Sequence, residues 1–101
     1  MRRMVVRYKA KPEKAQENER LIESVFEELR INSPDGLRYL ALRLADGSFV
    51  HFVASDGMGD ASPLRELASF RSFLNGIEDR CLEPPQAENA VIVGNYRMLG
   101  E

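Results

Sequence analysis

The stretch YLALRLADGSFVHFVAS, Tyr39 to Ser55, decides how this chain folds. Two runs rich in strand-forming residues meet at Asp46-Gly47. That dipeptide is a strong hairpin signal, because a type I′ turn needs positive φ at both central residues. A two-residue loop fixes the register. Ala45 then faces Ser48, Leu44 faces Phe49, Leu42 faces His51 and Leu40 faces Val53. Leu44, Phe49, Leu42, His51, Leu40 and Val53 share one side of the sheet. Tyr39 with Ala54, Ala41 with Phe52, and Arg43 with Val50 share the other. The side carrying His51 is the more apolar, so it is expected to lie beneath helices.

Outward from the hairpin, residues 3–10 (RMVVRYKA) alternate as a strand, with Met4, Val6 and Tyr8 on one side. Pro12 suits a first helical turn, and Leu21, Ile22, Val25, Phe26 and Leu29 form an amphipathic stripe that ends near Asn32. The hairpin strands are read as 37–44 and 48–54. A loop (SDGMGDASP) follows, with Ser62 as a candidate N-cap and Gly57-Met58-Gly59 too short for a phosphate loop. A second helix is expected over 63–81, with Leu64, Leu67, Phe70, Phe73, Leu74, Ile77 and Cys81 on its buried stripe. Pro84-Pro85 breaks the chain, and 89–98 (NAVIVGNYRM) reads as the last strand. The order β-α-β-β-α-β predicts a ferredoxin-like α+β fold, with a four-stranded antiparallel sheet and both helices on one face.

A chain of 101 residues has room for a single domain spanning 1–101. With a formal net charge of −2 it lacks the cationic surplus of a nucleic-acid binder. Its one cysteine cannot form an intrachain disulfide, which favours a reducing, cytoplasmic location. No apolar run reaches signal-peptide or membrane-spanning length, so no membrane partner is expected.

His51, the sole histidine, has three readings. It is a buried neutral ring with satisfied nitrogens, the polar handle of a small apolar pocket, or a metal ligand. The metal reading lacks a second histidine and any recognisable ligand spacing, so neither metal nor cofactor is expected. His51 is the candidate catalytic base. Arg71, at the edge of the second helix's stripe, and Tyr8 are the further ligand-binding candidates. Cys81 reads as a core residue. On the opposite side of the sheet, Tyr39, Ala41, Val50 and Phe52 form an apolar patch that a lone domain would leave in water. A second copy packed sheet to sheet about a two-fold axis covers it, so these four are the dimer-interface candidates.

These segments carry a resemblance. VVRYKAKPEKAQENERLIE (Val5–Glu23), FVHFVASD (Phe49–Asp56) and LRELASFRSFLNGI (Leu64–Ile77) resemble the antibiotic-biosynthesis-monooxygenase-like (ABM) branch of the dimeric α+β barrels. The resemblance covers nearly the whole chain and lies in pattern and order. It implies a dimeric α+β barrel with a pocket between the sheet and helices of each subunit. Relatives include cofactor-independent oxygenases of aromatic polyketides and quinols, haem-degrading enzymes, and proteins with no established activity. Two departures count against haem degradation: this chain has no tryptophan, and it reads Phe70-Arg71-Ser72-Phe73 where many relatives place Pro-His-Phe. The expectation is a homodimer binding a small apolar or aromatic molecule. The alternative is a cofactor-independent monooxygenase acting on a phenol or quinol.

Overall fold

The computed structural model describes residues 2–55 and 63–98. Strand β1 (Arg2–Ala10) leads through a 3-10 turn at Pro12–Lys14 into helix α1 (Ala15–Asn32). Strands β2 (Leu37–Arg43) and β3 (Ser48–Ser55) form the hairpin. A 3-10 turn at Pro63–Glu66 precedes the short helices α2 (Ala68–Leu74) and α3 (Ile77–Arg80), and strand β4 (Cys81–Asn89) closes the sheet. The four strands are antiparallel in the order β2-β3-β1-β4. The expected α+β class is therefore the observed one. The candidate loop residues Gly57, Met58, Gly59 and Ser62 lie outside the described residues.

The hairpin departs from expectation by one residue. Gly47 N–H bonds the Leu44 carbonyl at 3.1 Å, and Leu44 N–H bonds the Ser48 carbonyl at 2.8 Å. Gly47 sits at φ +88°. This is a three-residue loop, Ala45-Asp46-Gly47, in which a type I turn is followed by a left-handed glycine. Asp46 Oδ1 accepts the Ser48 N–H at 2.9 Å and steadies the turn. Arg43 consequently pairs with Phe49, Ala41 with His51 and Tyr39 with Val53. A one-residue slip turns a strand over. Tyr39 and Ala41 therefore share the helix-covered face with His51, not the open face with Val50 and Phe52. Leu40 and Leu42 take the open face in their place and are 43% and 47% exposed.

Two further expectations are corrected. The second helix is interrupted: Asn75 takes an extended conformation and Gly76 lies at φ 76°, a left-handed geometry that glycine adopts without strain. The chain turns there and restarts as α3. The last strand is Cys81–Asn89, eight residues earlier than the β-branched run suggested. Pro84 and Pro85 are accommodated because β4 is an edge strand, and its pairing to β1 shifts register between Arg7 and Lys9, opposite them. Residues 90–98 form no regular element.

The core fills the space between one sheet face and the helices. Tyr8 and Ala10 of β1, Phe49 of β3, Ile22 and Val25 of α1, and Leu64, Leu67 and Phe73 are all buried. Glu28 of α1 accepts the Ser69 N–H at 3.0 Å and its hydroxyl at 2.5 Å, tying the start of α2 to α1. Those bonds hold the Glu28 carboxyl below the usual carboxylate range.

Candidate functional site

A line of buried polar side chains runs through this apolar core. Tyr39 Oη lies 2.6 Å from His51 Nδ1, and Tyr8 Oη lies 2.8 Å from His51 Nε2. Asn18 Nδ2 donates to Tyr8 Oη at 2.8 Å, and Arg80 Nε donates to Asn18 Oδ1 at 3.1 Å. Arg80 also donates to the carbonyls of Asn75 (3.0 Å) and Phe73. Its guanidinium thus satisfies carbonyls that the end of α2 would leave orphaned, and it lies 5.5 Å from the Phe73 ring. The line draws members from β2, β3, β1, α1 and α3. Asn18, Tyr8, His51 and Arg80 are each at most 5% exposed.

Hydrogen-bond accounting assigns the histidine tautomer. Tyr8 Oη already accepts from Asn18, and among the described residues its own proton has one acceptor within reach, His51 Nε2. Tyr8 therefore donates to Nε2, and a neutral ring with Nε2 as acceptor carries its proton on Nδ1. That proton goes to Tyr39 Oη, which leaves the Tyr39 hydroxyl proton as the free end of the line. Burial pushes the His51 pKa down to about 4, so the ring is neutral at neutral pH. Burial also pushes the Tyr8 and Tyr39 hydroxyls above their ordinary range, and the Asn18 bond opposes the shift at Tyr8.

The sequence candidates are thus divided. Tyr8 and His51 are brought together, with ring centroids 5.4 Å apart. Arg71 is not: it is exposed, and its Nη1 donates to the Arg65 carbonyl at 2.9 Å. Cys81 is buried at the start of β4, and burial pushes its thiol up, away from the reactive thiolate. Three participants escaped the sequence reading: Asn18, Arg80 and Tyr39 as a partner of His51. Asn18 had a visible signal, because it lies on the helical stripe Ala15, Asn18, Ile22, Val25 at a position where an apolar residue is expected.

Beside this line, between the sheet and α2, lies a cavity of about 280 Å³. Met4 and Val6 of β1, Val53 of β3, Leu64, Phe70 and Leu74 give it apolar walls, and Arg2, Ser55 and Arg65 bring polar groups. His51 is absent from the lining, although Val6 is its cross-strand partner and Val53 lies two residues on. The histidine is thus one layer behind the cavity wall. Tyr39 lines a different cleft, also about 280 Å³, with Phe26, Leu29 and Leu37. A larger concavity, about 770 Å³, is an open groove along α1 and β2 with many charged walls. Among the described residues no three His, Cys, Asp or Glu side chains gather as a metal site, and no helix is long and apolar enough to cross a membrane.

No family model and no curated relative matches the sequence. Solved structures do match the fold. A Nitrosomonas europaea protein put forward as an antibiotic biosynthesis monooxygenase superposes with a TM-score of 0.73 at 20% identity, over 91% of this chain and 89% of its own. A Bacteroides thetaiotaomicron protein put forward under the same name gives 0.76 at 13% identity, over 91% and 89%. A Nitrosomonas europaea protein of unknown function gives 0.68 at 16% identity, over 94% and 91%. The chain is therefore similar in fold to structures of the ABM-like type, some named for a monooxygenase and others for no function.

Proposed function

We propose that this chain works as a homodimer that binds a small apolar or aromatic molecule in the cavity between the sheet and α2. The cavity carries the reading. At about 280 Å³ it matches a one- or two-ring compound, and its walls combine apolar side chains with a few polar groups, as ligand sites commonly do. The dimer follows from the open sheet face, where Leu40, Leu42, Val5, Val50 and Phe52 form an apolar band.

The test is calorimetric titration with 1-naphthol, using wild type and Val53→Trp. The tryptophan fills the cavity from β3 and is expected to abolish binding without unfolding the chain. Equal binding by both proteins would sink this location.

One observation favours a second reading, cofactor-independent oxygenation of a phenol or quinol. The Tyr39–His51–Tyr8 line is a neutral, ready-made proton path within the core. The fold neighbours named for monooxygenases support it. Oxygen uptake with 1,4-naphthoquinol, present in wild type and lost in a folded Tyr39→Phe variant, would establish it. With no uptake above the uncatalysed rate, binding alone stands.

A further inference from the structure

We propose that the molecule taken up between the sheet and α2 is an aromatic acid with a single carboxylate, anchored at Arg2 with its rings pointing inward along the strands. The inference rests on the cavity reading above and names the class of its ligand.

The cavity has a polar end and an apolar end, and strand register sets them apart. On the helix-covered face Arg2 pairs with Ser55, Met4 with Val53, and Val6 with His51. Residues on one face recur at every second position, so these pairs are three steps along the sheet. Each step is ~6.6 Å, and Arg2 to Val6 therefore spans ~13 Å. Arg2 and Ser55 line the cavity at one end of that line, and Met4, Val53 and Val6 line it further in. Arg2 and Arg65 are exposed, so their guanidiniums mark the mouth. Ser55 is buried and places a hydroxyl just inside it. Phe70 and Leu74 of α2 roof the apolar part.

The charge of the mouth has one sign. Among the described residues that line the cavity, two are arginines and none is Asp or Glu. That is not the habit of this surface, since the chain holds 16 acidic residues against 14 Lys and Arg. The groove along α1 sets Glu19, Glu23 and Glu27 beside its arginines. Arg2 takes part in neither ion pair found among the described residues, Arg7 with Asp46 and Arg43 with Glu19.

This arrangement selects among ligands. A neutral ring compound fills the apolar part and makes no use of the guanidinium. A carboxylate at the mouth gains charge-assisted, bidentate hydrogen bonds from it. The arginine stays charged at every pH where the chain is folded, so the anchor is permanent. A second carboxylate at the far end would lie against Val6 and Val53, where nothing pairs an ionised group. One acid is therefore admitted and two are refused. The end of the ligand remote from the acid rests on Val6, the residue opposite His51.

The test is calorimetric titration at neutral pH with 6-hydroxy-2-naphthoate and with 2-naphthol, which shares the rings and lacks the acid. Wild type, Arg2→Gln, Arg2→Lys and Val53→Trp are compared. Arg2 is exposed, so neither change there disturbs the fold. Wild type is expected to bind the acid about tenfold more tightly than 2-naphthol. Arg2→Gln should cut that ratio to about twofold, and Arg2→Lys, which keeps the charge, should retain most of it. Val53→Trp should bind neither compound. A wild type that holds the acid no more tightly than 2-naphthol overturns the acid and leaves the cavity reading standing. A full preference in Arg2→Gln overturns the anchor. Acid binding that survives in Val53→Trp, or a wild type that binds neither compound, overturns the cavity reading and this inference together.

Discussion

Tyr39 and His51 are diagonal neighbours on one sheet face: Tyr39 pairs with Val53 and His51 with Ala41, yet Tyr39 Oη lies 2.6 Å from His51 Nδ1. The contact depends on Ala41. Its methyl group, opposite the histidine, leaves room for the tyrosine ring to lean across, with centroids 5.6 Å apart. Both imidazole nitrogens are thereby occupied by hydroxyls.

Replacing His51 with leucine is expected to destabilise the chain by about 3 kcal/mol, because two buried tyrosine hydroxyls each lose a partner. For a domain of this size that lowers Tm by roughly 15 °C. Removing the hydroxyls as well, in Tyr8→Phe/His51→Leu/Tyr39→Phe, is expected to recover much of the loss. Thermal melts of the single and triple variants decide it. A single variant as stable as wild type would refute the network.

Stability should fall as the pH drops from about 6.5 to about 4. The folded ring resists protonation until about pH 4, whereas the unfolded ring takes up a proton below its ordinary value of 6.5. The unfolded state therefore binds more protons across this window. Its gain reaches about 3 kcal/mol at the lower end. Urea melts at pH 7.5 and 4.5 measure the change, and His51→Gln should flatten it. A wild type equally stable at both values would contradict the burial.

Arg80→Leu should cost about 3 kcal/mol, since it strands the Phe73 and Asn75 carbonyls and Asn18 Oδ1 in a buried place. Amide exchange should rise first in α2, whose end this guanidinium holds. Unchanged protection there would show that the arginine is dispensable.

Phe52→Asp should yield a folded monomer. Phe52 lies on the open face opposite Val5 and Leu40, where a second copy would bury the new carboxylate at a cost of several kcal/mol. Size-exclusion chromatography with light scattering reads the mass. A dimer that survives the substitution at micromolar concentration would locate the interface elsewhere.

The fold class was legible because hydrophobic period, Pro12 and Asp46-Gly47 all point to the same element order. The faces of β2 were not. They depend on whether the loop holds two residues or three, and Asp-Gly suits both: a type I′ pair, or a type I turn ending on a left-handed glycine. The end of the chain misled for another reason. Val91-Ile92-Val93 has the higher strand propensity, yet Cys81–Asn89, prolines included, takes the place beside β1. Tertiary context outweighs local preference at an edge. Of the polar line, His51 and Tyr8 stood out as isolated polar groups on strand faces. Arg80 did not, because its role depends on the left-handed Gly76, which turns the chain back toward Asn18.

The two prolines of β4 have a consequence for how many chains can join. Each proline lacks an N–H, so the rim that carries them cannot extend the sheet by ladder pairing there. A chain with two open rims is a link with two hooks and polymerises without limit. With one rim blunted, this chain has a valence of one: pairing through its remaining rim ends in a closed assembly instead of a fibre.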